Sequence, residues 1–260
     1  AFLRVAQSSL PILSRGATAG SAGTLTLHEK AELTGDSILL DATRDNLIAG
    51  TAVFNSPAIS VASSRVSFGA VPAGQDGLKV TPGLLAQLRQ ARDLRLRTYS
   101  TMDFYDGASV DLTDGATAPA GLTLDAPALV VHTGEDVVFQ ANSLVLGNTS
   151  GSYSGSAAPM SGSLSLRAER YVDAAGTVAK GTGRITLGDD QVALWGGRAY
   201  TLAASDEIMT SGKGQMDASG ALTLETPHLV ADTGTVYDIQ SNAALNVVRS
   251  ATPNPAALAD

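Results

Sequence analysis

Short segments in which apolar and polar residues alternate recur along most of this chain. A period of two is that of a β-strand with one buried face. Turns rich in Gly, Asn, Asp or Ser separate the segments, mostly about 6 to 12 residues apart. The pattern predicts an all-β fold, and a sandwich, a barrel and a β-solenoid all fit it. The alternating apolar pairs are Leu25/Leu27, Ile59/Val61, Val66/Phe68, Leu94/Leu96, Val110/Leu112, Leu122/Leu124, Leu144/Leu146, Leu164/Leu166, Ile185/Leu187 and Leu222/Leu224.

An internal repeat separates these three architectures. Residues 122–146 align without gaps onto residues 222–246, and apolar, proline, glycine and amide positions recur at that offset. Solenoids repeat in sequence because every coil solves the same stacking problem, whereas sandwiches seldom do. The repeat therefore predicts a β-solenoid with coils of roughly 20 residues, on the order of 12 coils and a rod about 55–60 Å long.

Two stretches interrupt the strand pattern. Residues 82–92 predict a short helical insertion, because Thr81 can cap it, Pro82 suits the first helical position and the leucines form one stripe. The Ser/Gly-rich run 148–162 predicts a protruding loop. Neither stretch indicates a domain boundary, so we expect one domain over residues 1–250 and a linker or tail over 251–260 in a fragment of a longer chain.

Composition narrows the function classes. The chain has 25 acidic and 17 basic side chains among 260 residues and a formal net charge of -8, which argues against nucleic acid or an anionic membrane as the partner. No apolar run reaches the roughly 18 residues that a membrane helix needs, so no membrane insertion is expected. Cysteine is absent, which excludes disulfides, thiolate metal sites and cysteine nucleophiles.

Motifs for catalysis or metal binding are missing or incomplete. The segment 151–155 resembles a nucleophile elbow but has Tyr153 where serine is needed, and His28, His132 and His228 have no serine at a suggestive spacing. Acidic pairs such as Asp103/Asp106 and Asp111/Asp114 are expected to be solvated turn residues. The sequence therefore predicts no catalytic residue, no metal and no cofactor.

The enzyme alternative is a β-helical polysaccharide lyase or glycoside hydrolase. Such an enzyme needs carboxylates across a groove, and Asp189 and Asp190 are the best pair that the chain offers. Adjacent strand residues point to opposite faces, so this pair is expected in a turn.

Two aromatic groups are candidate ligand-contact surfaces. Tyr99, Asp103 and Tyr105 are all at odd-numbered positions of one predicted strand, so they would share a face. That face would point away from a core containing Met102 and Phe104. Trp195 and Tyr200, which flank Gly196 and Gly197, form the second group. Aromatic and polar side chains of this kind can stack on sugars, although they can equally cover a loop or a sheet edge.

Residues 83–88 and 94–105 resemble a segment of the large filamentous-haemagglutinin-like exoproteins of Gram-negative bacteria. The Leu-Thr-Leu-(Asp/Glu)-(Ala/Thr)-Pro and Gln-(Ala/Ser)-Asn elements of the repeat are similar to those proteins as well. The resemblance implies a right-handed parallel β-helix that is secreted through a two-partner pathway. The Asn-Pro motif occurs only at 254–255, so the chain resembles the shaft rather than the amino-terminal secretion domain.

The resemblance also implies a function and a location. We expect a non-catalytic shaft segment of an adhesin or extracellular filament at the bacterial cell surface, with an outer-membrane transporter as its partner during secretion. A glycan or cell-surface receptor, or a second copy stacked end to end, is the expected binding partner. The rod would have two open ends that need a cap, more chain or another copy.

Overall fold

A computed structural model of the chain describes residues 1–8, 22–113, 121–152, 155, 158–172 and 179–250. Within these ranges the chain is mostly β-strand with one short helix, which confirms the predicted all-β class. The first half contains β1 (Phe2–Ala6), β2 (Thr24–Leu27), β3 (Glu32–Thr34), β4 (Ser37–Asp41), β5 (Asp45–Ile48), β6 (Val53–Asn55), β7 (Ala58–Ser63), β8 (Val66–Phe68), β9 (Leu78–Val80), α1 (Pro82–Leu88), β10 (Asp93–Thr98), β11 (Thr101–Phe104), β12 (Val110–Asp111), β13 (Gly121–Asp125) and β14 (Ala128–Val131). The second half contains β15 (Asp136–Ala141), β16 (Leu144–Gly147), β17 (Ser163–Ala168), β18 (Tyr171–Val172), β19 (Ala179–Lys180), β20 (Arg184–Leu187), β21 (Asp190–Trp195), β22 (Ala199–Ala204), β23 (Glu207–Thr210), β24 (Lys213–Ala218), β25 (Ala221–Glu225), β26 (His228–Ala231), β27 (Val236–Ser241) and β28 (Leu245–Val248).

Three parallel sheets hold most of these strands. The nine-stranded sheet has the order β1-β4-β7-β10-β13-β16-β20-β23-β26, and only β1 runs antiparallel to its neighbour in it. The seven-stranded sheet has the order β27-β24-β21-β14-β11-β8-β9, and the six-stranded sheet has the order β12-β15-β17-β22-β25-β28. The chain visits the three sheets in turn, from β20 to β21 to β22 and then again from β23 onwards. From β20 onwards, parallel neighbours in a sheet are therefore separated by two strands of the other sheets.

In-register pairing places like residues in rows across each sheet. Leu94 lies between Ile59 and Leu122 in the nine-stranded sheet, and the row continues through Leu144 and Ile185. All ten predicted apolar pairs lie in strands or directly beside them, and every member except the half-buried Leu27 is buried. The period-two pattern therefore identified the core-facing positions correctly.

Aromatic side chains of the seven-stranded and six-stranded sheets pack together in the core. Phe68, Phe104 and Phe139 come from three different strands and are each at most 1% exposed. The rings of Phe68 and Phe104 stack with centroids 5.5 Å apart, and Phe139 packs edge-on against both at 5.0 and 5.9 Å. Offset-stacked and edge-on arrangements are those that the aromatic quadrupole favours.

The helix begins where the sequence predicts and ends earlier. The hydroxyl of Thr81 accepts a hydrogen bond from the Leu84 amide at 3.2 Å, and Pro82 occupies the first turn. Leu84 and Leu88 are fully buried in the core. The helix stops at Leu88 rather than at residue 92, because Asp93 must already be extended to pair with β7. In the described part of the chain, no helix is long and apolar enough to cross a membrane.

The spacing of the strands differs from the predicted uniform coil. The interval between neighbouring strands of the nine-stranded sheet is 21 residues from Ser37 to Ala58 but 40 residues from Leu144 to Arg184. Insertions such as α1 and the β18–β19 hairpin lengthen some intervals. The eight parallel strands of this sheet span about 34 Å at the usual strand spacing, which is less than the predicted rod length.

The Ser/Gly-rich run 148–162 is anchored where it begins. Asn148 is buried, and its side-chain amide donates to the carbonyl oxygens of Gly151 at 2.5 Å and Gln191 at 2.8 Å. The run therefore starts against β21 of the seven-stranded sheet. The predicted tail 251–260 lies outside the described residues, as do parts of this run.

Tyr200 is buried, so its predicted place on a ligand-contact surface is wrong. It occupies an inward position of β22, between Leu164 and Leu222, and is 1% exposed. Its hydroxyl accepts a hydrogen bond from the Gly197 amide at 2.7 Å and lies 3.0 Å from the Ser219 hydroxyl. The residue is therefore part of the core.

Alkaline pH is expected to destabilise the fold through its buried tyrosines. Burial raises the pKa of Tyr200 and of Tyr237 above the ordinary value of 10.0. Their contribution to stability is fully present below pH 10 and is lost as pH rises towards the folded-state values, because only the unfolded chain releases the protons there. Unfolding midpoints in urea, measured from pH 8 to 11, should fall above about pH 10. Tyr200→Phe should show a shallower fall, and an identical slope would contradict the assignment.

Candidate binding surface on the seven-stranded sheet

One row of residues crosses the seven-stranded sheet on the side opposite Met102 and Phe104, and its three middle members are at most 2% exposed. In-register pairing joins Lys79 of β9 to Ser67 of β8, Ser67 to Asp103 of β11, Asp103 to Val130 of β14, and Val130 to Trp195 of β21. Neighbouring members are separated by about 4.8 Å, so the row is roughly 19 Å long. Met102 and Phe104 point to the opposite side and are fully buried, as predicted.

A buried carboxylate lies at the centre of this row. Asp103 is 1% exposed, and its Oδ1 lies 2.9 Å from His132 Nε2 while its Oδ2 lies 3.1 Å from Arg65 Nε. The hydroxyl of Thr101 donates to Oδ2 at 3.1 Å. A buried carboxylate is tolerated only when such partners replace its hydration. Asp103 therefore positions Arg65 and His132, and its predicted places on a ligand-contact surface and in a solvated turn are both wrong.

Tyr105 and His132 form a stacked ring pair above Asp103. Their centroids are 4.8 Å apart and their planes differ by 12°. The Tyr105 amide donates to the Phe68 carbonyl at 3.0 Å, which fixes the residue directly after β11. Burial and the charge of Asp103 raise the pKa of Tyr105, so its hydroxyl remains protonated at neutral pH. Both rings are half-buried, which leaves one edge of the pair open to solvent.

Trp195 lies at the far end of the row, in a second small cluster. Its half-buried indole packs against Ala128, Val130 and Ala193 on the outer side of the sheet. The next residue, Gly196, has a φ of 84°, and a Cβ there would lie 2.2 Å from the Val131 carbonyl oxygen. Only glycine fits this turn, which fixes where the strand ends after Trp195.

Tyr99 does not lie on the same strand as Asp103, so the prediction that the two residues share one face of a strand is wrong. It occupies the turn between β10 and β11, where the chain passes from the nine-stranded to the seven-stranded sheet. Its hydroxyl donates to the buried Asp41 carboxylate at 2.8 Å, and the Arg97 guanidinium lies 4.9 Å from its ring centroid. These contacts make Tyr99 part of a corner rather than a free surface.

A cleft of about 570 Å³ opens beside Lys79. Its Gly77 amide donates to Asp45 Oδ1 at 2.8 Å, and Arg44 lies 3.2 Å from both Asp45 and Asp76. Gly77 has a φ of 109°, and a Cβ there would lie 2.4 Å from the Arg65 carbonyl oxygen, so this wall is tightly packed. The cleft is lined by Leu27, His28, Glu29, Asp45, Asn46, Leu47, Ile48, Ala49, Gly74, Gln75, Asp76, Gly77, Lys79 and Thr81.

The carboxylates that the sequence offered for catalysis or metal binding have structural partners. Asp189 accepts a hydrogen bond from the Lys213 amide at 2.9 Å, and Asp190 begins β21 with a φ of 66°. Asp106 accepts from the Thr133 hydroxyl, and Asp111 accepts from the Thr113 amide at 2.8 Å. Asp114 lies outside the described residues. The described residues contain no group of three or more His, Cys, Asp or Glu arranged to hold a metal ion.

Sequence reasoning missed Arg65, Gln75 and His132. His132 is 29 positions from Asp103, and Arg65 is 38 positions from it, so neither shares a local motif with the carboxylate. The side chain of Gln75, in a loop before β9, lines the cleft and lies close to that of Tyr105. The signal that could have found them is the register between neighbouring parallel strands.

No protein-family model, curated protein or solved structure matches this chain. The geometry of the chain and the sequence resemblance are therefore the grounds for a function.

Proposed function

We propose that the three parallel sheets close into a single right-handed parallel β-helix. The cyclic order in which the chain visits the sheets supports this proposal, as does the in-register pairing of neighbouring coils. Buried side chains from all three sheets also belong to one contiguous hydrophobic cluster. Each coil would then contact only its neighbours, which is the arrangement of a rod.

The function that this geometry supports best is that of a non-catalytic shaft segment in a secreted bacterial surface adhesin or extracellular filament. The observation that carries it is the continuous ladder of parallel strands over one apolar core, because such a ladder extends without a change of sequence pattern. The resemblance to filamentous-haemagglutinin-like exoproteins adds a cell-surface location, an outer-membrane transporter during secretion, and adhesion to a glycan or receptor.

End-to-end association is part of the proposal. Leu229, Leu245 and Val247 continue rows whose preceding members are buried, yet they are 45%, 46% and 59% exposed. These side chains and the free edges of β26, β27 and β28 offer a surface on which a second copy can stack. Sedimentation at increasing concentration should show association that Leu245→Lys weakens. A strictly monomeric chain at high concentration would contradict this part.

Two measurements on the purified chain test the shaft. Small-angle X-ray scattering should give an elongated particle, and incubation with plant, bacterial and host polysaccharides should release no oligosaccharides by mass spectrometry. A compact particle would overturn the rod. Released products that disappear in Asp189→Asn or Asp190→Asn, and persist in the exposed control Asp93→Asn, would overturn the non-catalytic assignment.

A further inference from the structure

We propose that the cleft beside Lys79 and the Tyr105–His132 ring pair form one groove that binds a neutral oligosaccharide. The saccharide would lie across the strands of the seven-stranded sheet. This inference rests on the adhesive part of the proposed function and names the ligand class and the residues of that contact.

Two observations join the cleft to the ring pair. Gln75 lines the cleft, and its side chain lies close to that of Tyr105. Lys79 lines the cleft too, and in-register pairing places it two strands, about 10 Å, from the buried Asp103 that holds His132. The two features are therefore neighbouring parts of one surface.

The chemistry of this surface matches that of a sugar. The ring pair offers an apolar body with polar tips at the Tyr105 hydroxyl and the His132 nitrogens, as suits a ligand with C–H faces and hydroxyl rims. Along the cleft, the exposed Glu29 carboxylate accepts hydrogen bonds, the Lys79 ammonium donates them and the Gln75 amide does both. A mixed lining with a few convergent polar groups is typical of sites for small polar ligands.

The charge of the groove favours an uncharged saccharide. Its acidic and basic side chains nearly balance, so no excess of cations is present to attract a polyuronate, and the chain as a whole carries a formal charge of -8. The acidic members are Glu29, Asp45, Asp76 and Asp103, and the basic members are Arg44, Lys79 and Arg65.

The groove is held in shape before any ligand binds. Asp45 is fixed by the Gly77 amide and by Arg44, while Asp103 holds His132 and Arg65 from below. Groups that are already ordered lose little conformational freedom on binding, which leaves more of the contact energy for affinity.

Calorimetric titration tests the groove with cellohexaose and mannohexaose as neutral probes and a polygalacturonate oligomer as the anionic comparison. At least one neutral probe should bind, and Tyr105→Ala and Lys79→Ala should each weaken its binding about ten-fold. Tyr105→Phe, which keeps the ring, should weaken binding less. Lys213→Ala is the matched control, because Lys213 is an exposed lysine of the same sheet at the start of β24. Thermal melts confirm that each variant is folded.

The outcomes separate this inference from the proposed function. Binding that Tyr105→Ala abolishes and Lys79→Ala leaves intact would overturn the continuous groove. Tighter binding of polygalacturonate would overturn the neutral class, and equal losses in Lys213→Ala would show binding elsewhere. No binding of either neutral probe would overturn the inference while the scattering result decides the rod independently.

Discussion

Replacing Phe104 by alanine is expected to lower the free energy of unfolding by about 3–5 kcal/mol. Phe104 is fully buried, and its ring contacts the rings of Phe68 and Phe139. These three residues come from the seven-stranded and six-stranded sheets. Removing the Phe104 ring therefore loses packing contacts within one sheet and between the two sheets. The surrounding backbone is held by strand pairing on both sides of β11 and cannot collapse far into the space.

Urea unfolding followed by circular dichroism gives this free energy. Phe2→Ala is the matched control, because Phe2 is 36% exposed on β1 and its removal leaves no closed cavity. The control should lose less than about 1 kcal/mol. If Phe104→Ala were no more costly than Phe2→Ala, the three rings would not form a packed core.

The sequence pattern predicted the strands and their buried faces, and the reason is local. Each strand must place apolar residues at every second position, so the signal lies within a few neighbouring residues. The helix start was predictable for the same reason, since Thr81 and Pro82 act on adjacent backbone groups. The end of the helix was not, because it depends on pairing of Asp93 with β7.

The internal repeat predicted a recurring strand and turn but not the sheet in which each copy lies. Leu122 lies in β13 of the nine-stranded sheet, whereas its counterpart Leu222 lies in β25 of the six-stranded sheet. The two copies are therefore offset by one sheet. A strand with one apolar face and a turn fits any of the three sheets, so sequence similarity alone does not report which sheet a copy occupies.

The candidate surface could be predicted only in part. Tyr105 was identified as half-exposed from the period-two pattern, whereas Asp103 of the same predicted surface is buried. The partners of Asp103 come from neighbouring parallel strands, and the sequence interval between such strands varies with each insertion. Without that register, His132 could not be assigned to Asp103, and the inward position of Tyr200 could not be separated from the outward position of Trp195.

The second large effect is expected at Asp125, which holds a buried network at the corner next to Tyr99. Asp125 is 1% exposed, pairs with Arg95, and lies 3.8 Å from Arg97, which is itself 3% exposed. It also accepts hydrogen bonds from the amide and hydroxyl of Thr149, at 2.7 and 2.8 Å. One carboxylate therefore ties the nine-stranded sheet to the start of the 148–162 run.

Asp125→Ala should lower the free energy of unfolding by about 3–5 kcal/mol, because it removes the carboxylate that pairs with Arg95 and accepts two hydrogen bonds from Thr149 in a buried network. Asp93→Ala is the matched control, since the Arg92–Asp93 pair is exposed and such pairs contribute about 1 kcal/mol or less. Hydrogen exchange gives a local readout, because the Thr149 amide should lose protection only in Asp125→Ala. Equal stability losses in the two variants, with Thr149 still protected, would mean that the carboxylate does not anchor the run.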